Sequence, residues 1–224
     1  AFVILGNWKN AIVLAVSEYK RIGVGDTGPN TGGMGSVSHP PFVDADMMAK
    51  VEQRIIKPTL TGIQARNLDY KGFIFIGLIS VDNEPYVIEY NCRMGDPETQ
   101  SVMARLNSDL VQLCLQTADE EVATSVIEMD ARQAATVVLV SGGYPGSYEK
   151  GKVISGLESV VGSLVFLAGT KTTASGQVVT NGGRVLAITS YGDTFEAALA
   201  SSYENAKKVR FEGVNYRGDI GFDL

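Results

Sequence analysis

The chain is poor in the residues behind the commonest site chemistries. Its 224 residues include two cysteines, one histidine and one tryptophan. Cys92 and Cys114 are too few for a disulfide framework, and no C-x-x-C pair offers a zinc site, so a reducing, cytoplasmic setting fits best. His39 stands beside Pro40-Pro41 with nothing nearby to orient it, and is expected on a surface loop rather than in acid–base work. Basic charge is also scarce: 19 Lys plus Arg against 25 Asp plus Glu leave a net charge of −6. Without a basic tract, sequence-independent nucleic-acid binding is disfavoured. The short run Lys207-Lys208 with Arg210 reads as the solvated end of a helix. No apolar stretch approaches the roughly 18 residues of a membrane span, and Phe2–Leu5 is too short for a signal-peptide core.

What is present is an ordinary core-forming composition, 45% hydrophobic with 25 glycines, enough for one or two domains. The densest chemistry lies between Pro85 and Thr99. Tyr86, Ile88 and Tyr90 alternate with Val87, Glu89 and Asn91, the two-residue period of a strand. Glu89, Asn91 and Arg93 are then expected on one face, roughly 6.5–7 Å apart. Glu89 and Asn91 offer oxygens that suit a hard cation such as Mg²⁺. Arg93 cannot ligate a metal, but its planar fork suits a phosphate or carboxylate. Taken alone, such a row is more often a solvated strand face. The sequel strengthens it: Gly95 permits a tight turn, Asp96 can cap a helix and Pro97 suits its first position, so the strand is expected to end in an abrupt corner.

Elsewhere, Phe2–Leu5 and Ala11–Val16 read as a hairpin across Gly6-Asn7-Trp8-Lys9-Asn10. Ser17-Glu18-Tyr19-Lys20-Arg21 leads into a long glycine-rich loop, whose Gly28 to Gly35 could turn through positive φ and aim several N–H groups at an anion, or simply be flexible. Its G-x-G-x-x-G match is weak, because no helix follows. Asp44 to about Arg66 is expected to be helical, with a break or kink at Pro58. Phe73–Val81 should pair with the Glu89 strand. Helices are expected from Pro97 to about Arg105, then after a cap at Asn107 or Ser108 with Leu110, Leu113 and Cys114 inward. Past an acidic Asp119-Glu120-Glu121, strands are expected at Ala135–Val140, Leu164–Ala168, Gln177–Thr180 and Arg184–Ser190. Asp193 with Glu196 reads as a capping box for a helix burying Phe195, Leu199, Tyr203, Ala206 and Val209. Gly146 to Lys152 nearly spells a P-loop, but Val153 replaces the Ser/Thr and strand follows where a helix is needed.

Val87-Ile88-Glu89-Tyr90-Asn91-Cys92-Arg93-Met94-Gly95-Asp96-Pro97-Glu98-Thr99-Gln100 resembles the signature of the phosphoribosylamine–glycine ligase family, ATP-grasp enzymes of purine synthesis. Lys20-Arg21 with Gly25-Asp26-Thr27-Gly28-Pro29-Asn30-Thr31-Gly32-Gly33-Met34-Gly35 is similar to that family's substrate-side loop. Ala168-Gly169-Thr170-Lys171, Val179 to Leu186 and Asp219-Ile220-Gly221 are similar to its carboxy-terminal domain. Glu18, Leu167 and Gly218 depart from the usual Asp, His and Arg.

The resemblance implies an α+β fold: the second half of an ATP-grasp domain over 1–120, then a smaller β-rich domain over 121–224. It implies ligation of glycine to 5-phosphoribosylamine through a glycyl phosphate, with ATP and Mg²⁺ or Mn²⁺. Glu89 and Asn91 would hold the metal and Arg93 would be catalytic. Glu18, Lys20, Arg21, Asn30, Gly32, Gly33, Asp96, Glu98, Lys171 and Arg184 would bind substrate, Lys171 and Arg184 reading otherwise as exposed charges on hairpin turns. Because the chain opens at Ala1 in mid-strand, it is expected to be a piece needing an amino-terminal partner and inactive alone. The alternatives are a complementation module working with that partner and a non-catalytic structural domain.

Overall fold

The computed structural model describes residues 2–7, 11–121 and 127–224. Among these the chain divides into two compact units, one of Ala1–Val16, His39–Gly95 and Leu106–Asp130, the other of Ser17–Ser38, Asp96–Arg105 and Ala131–Leu224. The expected α+β character is present, with antiparallel pairing throughout the described sheets. No helix among the described residues is long and apolar enough to cross a membrane.

The first unit is built on a sheet in the order β2-β1-β5-β6. Its strands are β1 (Phe2–Asn7), β2 (Ala11–Ala15), β5 (Lys71–Val81) and β6 (Glu84–Asn91). The β1–β2 and β5–β6 hairpins form as expected, although the first turn, at residues 8–10, lies outside the described residues. Asp82 and Asn83 both take positive φ, 52° and 61°, as a two-residue turn matched to strand twist requires. Ile74 and Ile76 of β5 are buried with Met47, Val51, Ile55 and Ile56 of the helical segment.

That segment does not break at Pro58. It runs as α1 (Ala45–Val51), a π-turn over Glu52–Ile56 and α2 (Lys57–Ala65). The wider turn lets Lys57 N–H reach Glu52 O and sets Pro58 in the first turn of a new segment, where a missing N–H costs least. Asp44 caps α1 as expected, its carboxylate accepting from Met47 N–H at 2.8 Å. In α4 (Leu110–Ala118) the cap is Asp109, not Asn107 or Ser108. Only Leu113 of the three expected inward residues is buried; Leu110 and Cys114 are exposed.

The second unit is built on a sheet in the order β3-β4-β7-β11-β8 with a two-stranded β9–β10 pair. Its strands are β3 (Ser17–Gly23), β4 (Thr27–Ser38), β7 (Gln133–Val140), β8 (Ser163–Leu167), β9 (Thr170–Thr172), β10 (Val178–Thr180) and β11 (Arg184–Gly192). The expected glycine-rich loop is therefore mostly strand. Gly35 pairs with both Tyr19 and Val137, and a Cβ there would lie 2.6 Å from Thr136 O and 2.8 Å from Ile220 Cδ1. Glycine is used for close backbone approach, so a composition that usually speaks against a strand misleads.

Two helices cover opposite faces of this sheet. Ser36, Thr136 and Thr189 stand in register on one face, where Ser36 Oγ donates to Pro97 O at the start of α3 (Glu98–Ala104). Ser190, one residue along β11, turns to the other face and meets Ser202 of α5 (Phe195–Ala206) at 2.9 Å. The α5 cap is Thr194, accepting from Ala197 N–H, in place of the expected Asp193. Leu199, Ala206 and Val209 are buried in the core, with Phe195 and Tyr203 packed against it.

Arg217 ties the closing residues to the β3–β4 turn. Its side chain is fully buried, yet it donates to Asp219 through Nε at 2.6 Å and Nη2 at 3.1 Å, and to Asp26 through Nη1. Its guanidinium also lies 5.3 and 5.2 Å from the Tyr19 and Phe222 rings. Burial works against ionisation of Asp219, but hydrogen bonds from Arg217 and Gly25 N–H outweigh it and hold the carboxyl below its ordinary range. Replacing Arg217 by Met removes its hydrogen bonds to Asp219 and to the more exposed Asp26 and should cost about 1.5–3 kcal/mol of unfolding free energy. Denaturant melts of the two chains would check this, and a loss under about 1 kcal/mol, the scale of an exposed pair, would refute it.

Candidate functional site

The side chains assigned a role gather around β6 in the first unit, while in the second most gather around Gly32–Gly33 and Arg21, Asn30 and Lys171 stand apart. In the first unit the decisive feature is the β5–β6 register. Asn91 stands opposite Phe75, Tyr90 opposite Ile76 and Glu89 opposite Gly77, after which Leu78 pairs with Val87. Ile88 is thus an extra residue, a bulge, and the alternation expected along β6 is interrupted there. Directly opposed residues share a face, so Glu89 and Asn91 lie together on the side away from Ile74, Ile76 and the α1–α2 segment. Val87 goes with Leu78 to the other side. Glu89 lies across Gly77, its Cγ 3.1 Å and its Oε1 3.8 Å from where a Cβ would stand, so a side chain there would press on the Glu89 stem.

Arg93 lies past the end of β6 and is not a third member of the strand row. Its guanidinium nevertheless turns back, donating to Met94 O at 3.0 Å and to Asn91 Oδ1 at 3.4 Å. Asn91 Nδ2 is buried without a hydrogen-bond partner among the described residues. Glu89 and Asn91 together form an oxygen pair of the kind that completes a Mg²⁺ shell with waters and phosphate oxygens, not a full protein cage. The described residues hold no group of three or more His, Cys, Asp or Glu that could hold a metal ion.

In the second unit, Glu18, Lys20, Gly32, Gly33, Asp96, Glu98 and Arg184 come together. Asp96 does not cap α3: Pro97 is the cap residue, and Asp96 instead accepts from Gln100 Nε2 at 2.9 Å and pairs with Arg184 Nη2 at 3.3 Å. Arg184 Nη1 also donates to Gly32 O at 2.7 Å and to Asp96 O. Gly32 N–H donates to Tyr144 Oη at 2.9 Å and Gly33 N–H to Thr31 Oγ1 at 2.9 Å, so neither is aimed outward at an anion. Arg21 and Asn30 pair in register further along the hairpin, and Arg21 Nη1 is committed to Gly28 O at 2.7 Å. Lys171 is exposed on β9, lining a groove of about 470 Å³ with Lys150, Thr172 and Asn181. His39 is exposed in a bend, as expected.

Glu18 is the carboxyl in this group whose protonation is displaced by its surroundings. Glu98 is only 2% exposed and its Oε2 has no hydrogen-bond partner among the described residues. Burial first, then the facing Glu98 carboxyl, push Glu18 up to about 8, while Lys20 at 3.6 Å pulls the other way.

Two models of one family cover most of the chain: the phosphoribosylglycinamide synthetase ATP-grasp (A) domain matches residues 2–99, and the C domain of the same synthetase matches residues 134–223. The chain belongs to the phosphoribosylglycinamide synthetase family. It is 46% identical over 226 residues to the phosphoribosylamine–glycine ligase of Vibrio vulnificus strain CMCP6 and 44% identical over 226 residues to that of Escherichia coli K12. Those alignments take in 99% of this chain but 52% and 53% of the relatives, so the chain spans about half their length. The crystal structure of the Thermotoga maritima phosphoribosylamine–glycine ligase superposes with a TM-score of 0.87 at 39% identity, covering 96% of this chain and 54% of that one. The family resemblance carried by residues 87–100 is thereby shown across both units.

Reasoning from sequence missed three supports of these groups. Tyr144 had no distinguishing signal. Arg217 looked like any charge near the carboxyl end. Gly77, a lone glycine inside the β-run Phe73–Val81, was a readable sign of close approach that went unused.

The raised Glu18 has a consequence for stability in the chain by itself. The folded state binds a proton there more tightly than the unfolded one, so the contribution is fully present below the unfolded value of 4.5 and is lost as pH rises through about 8. Glu18→Gln should therefore flatten the fall in melting temperature across that window. Parallel melting curves for the two chains would exclude the effect.

Proposed function

We propose that this chain supplies the carboxy-terminal half of a ligase that joins glycine to 5-phosphoribosylamine, with ATP cleaved to ADP and phosphate, giving glycinamide ribonucleotide for purine synthesis. The glycine carboxylate takes the γ-phosphoryl group as an acyl phosphate, and the amine then displaces phosphate. In this reading residues 1–120 belong to the ATP-grasp domain and 121–224 to the carboxy-terminal domain. The observation that carries it is the placement of Glu89 and Asn91 on one face of β6, with Glu89 lying across Gly77 and Arg93 drawn back to Asn91.

Phosphoryl transfer is catalysed mainly by positioning and by neutralising charge on the transferring group. Glu89 and Asn91 are the residues to hold Mg²⁺ or Mn²⁺, which when bound offsets the charge of the ATP phosphates. Arg93 offers donors to the phosphoryl or tetrahedral oxyanion. In the second unit Lys20, Arg21 and Lys171 supply positive charge for the substrate phosphate, with Asn30 beside Arg21. Gly32, Gly33, Asp96 and Arg184 form the braced wall next to Glu18 and Glu98. Because the chain spans about half of its relatives, the amino-terminal half is a required partner and this chain alone is inactive.

The test completes this chain with the amino-terminal half of the Vibrio vulnificus relative. Glu89→Gln in the completed protein should lower Mg²⁺-dependent turnover by about two to three orders of magnitude, the scale of losing one preorganised electrostatic contact. Near-normal turnover would remove the metal role. Ligase activity from these 224 residues alone would show that the partner is not needed.

A further inference from the structure

Among the described residues, Lys50, Lys57, Lys71, Lys152 and Lys208 each pair with at least one carboxylate. Of the three cations named above for the substrate phosphate, Lys20 lies 3.6 Å from Glu18 and Arg21 donates to Gly28 O at 2.7 Å. Lys171 differs: its ammonium has neither an ion pair nor a hydrogen bond among the described residues. Lys150, which lines the same groove of about 470 Å³, has none either.

The groove is built by backbone pairing inside the second unit. Lys171 on β9 stands opposite Val179 on β10. On the other side of β10 the segment from Gly151 runs alongside, with Gly151 N–H donating to Thr180 O at 2.7 Å and Val153 bridging Val179. Lys150 and Lys171 therefore come to β10 from its two flanks. No Asp or Glu lines the groove. Glu149, beside Lys150 in sequence, and Glu212 are both held by Lys152, at 2.7 and 2.9 Å. In a chain of net charge −6, this leaves a cationic patch without a counter-carboxylate.

The remaining polar lining divides in two. Thr173 Oγ1 accepts from Gln177 N–H and Thr180 Oγ1 from Lys152 N–H, each at 3.1 Å. The Thr172 hydroxyl and the Asn181 carboxamide have no such partner among the described residues. From Asn181 the chain passes through Gly182–Gly183 to Arg184, which donates to Gly32 O at 2.7 Å. One turn thus connects the groove to the wall built on Gly32.

Two ammonium groups with no carboxylate between them favour a dianion, and lysine is a compact charge suited to phosphate. The groove volume lies within the range of small-ligand sites, roughly 300–1,000 Å³, and leaves room for a sugar beyond a phosphate group. We propose that this groove seats the phosphate of a phosphorylated pentose, Lys150 and Lys171 offsetting its charge and Thr172 and Asn181 hydrogen-bonding its oxygens or the sugar hydroxyls. This rests on the ligase reading above and sharpens it. Lys171 meets the substrate phosphate together with Lys150, while Lys20 and Arg21 stay engaged within the β3–β4 hairpin.

One arm of the test uses this chain as it is. Ribose 5-phosphate titrated into the nitrogen-labelled chain should shift the amide signals of Gly151, Lys171, Thr172 and Asn181 to saturation, whereas ribose should not. Lys150→Gln and Lys171→Gln should each weaken that binding at least about fivefold, the upper end for an exposed ion pair. Lys207→Gln, which removes an exposed lysine elsewhere, should change it less than about twofold, the lower part of that range. No saturable shift, an equal response to ribose, or an equal loss in Lys207→Gln would overturn the groove. Binding of inorganic phosphate as tight as that of ribose 5-phosphate would overturn the pentose.

The other arm uses the completed protein. Lys150→Gln/Lys171→Gln should raise the KM for 5-phosphoribosylamine by about tenfold or more, two such contacts together, and leave the KM for ATP unchanged. An unmoved KM for the phosphorylated sugar, or an equal rise for ATP, would overturn the assignment. If the unmutated completed protein makes no amide, the ligase reading fails, while the binding arm still decides the groove.

Discussion

Burial of Ile74 and Ile76 against α1 and the π-turn decides which side of β5 is core, and every polar placement on β6 follows from that choice. A one-residue slip would carry Ile74 and Ile76 off that packing and turn Phe75, buried on the opposite face, onto it. Asn91 opposite Phe75 and Glu89 opposite Gly77 are consequently locked to the side away from α1 and α2. The bulge at Ile88 absorbs the mismatch, sending Val87 to the Leu78 side while Glu89 keeps its aim. Gly77, opposite Glu89, lets the Glu89 stem lie close against β5.

The second unit works by a different constraint, the close approach of backbones. β4 carries six buried residues in a row, Gly33 to Ser38, between β3 and β7. Such a strand brings little side-chain burial of its own at Gly33 and Gly35 and is held by its neighbours: Thr136 O and Ile220 at Gly35, Pro97 and Glu18 at Gly33, Arg184 at Gly32. The same close packing that excludes side chains there also excludes water from Glu98. Cationic Arg184 and Arg217 are spent as braces, one on Asp96 and Gly32 and the other on Asp26 and Asp219. Positive charge in this unit is therefore partly structural, and the number of arginines near a loop says little about how many remain for a ligand.

Much of this was legible in the chain. The strand character of 85–91, the β5–β6 hairpin, the Asp44 cap and the strands around 135–140, 164–168 and 184–190 all depend on local backbone preferences, and local preferences are written in neighbouring residues. Glu89 and Asn91 could be placed on one face for the same reason. The errors cluster where a distant partner outweighed a local rule. Asp96 has the chemistry of a helix cap but is drawn to Arg184, 88 positions away. The glycine-rich run has the composition of a loop but is stitched between two strands. Pro58 has the power to break a helix, but a π-turn one step earlier removes the conflict.

By itself, then, the order of residues determined the family, the α+β character, the β6 polar pair and the strand and turn chemistry around it, since each is set within a few positions along the chain. Only the tertiary structure decided that Ile88 bulges and that Arg217 is buried between two carboxylates. It alone brought Glu18 near the Glu98 carboxyl across 80 positions, through the packing of β3, β4 and α3. Register, burial and like-charge proximity are properties of paired segments, and no single segment carries them.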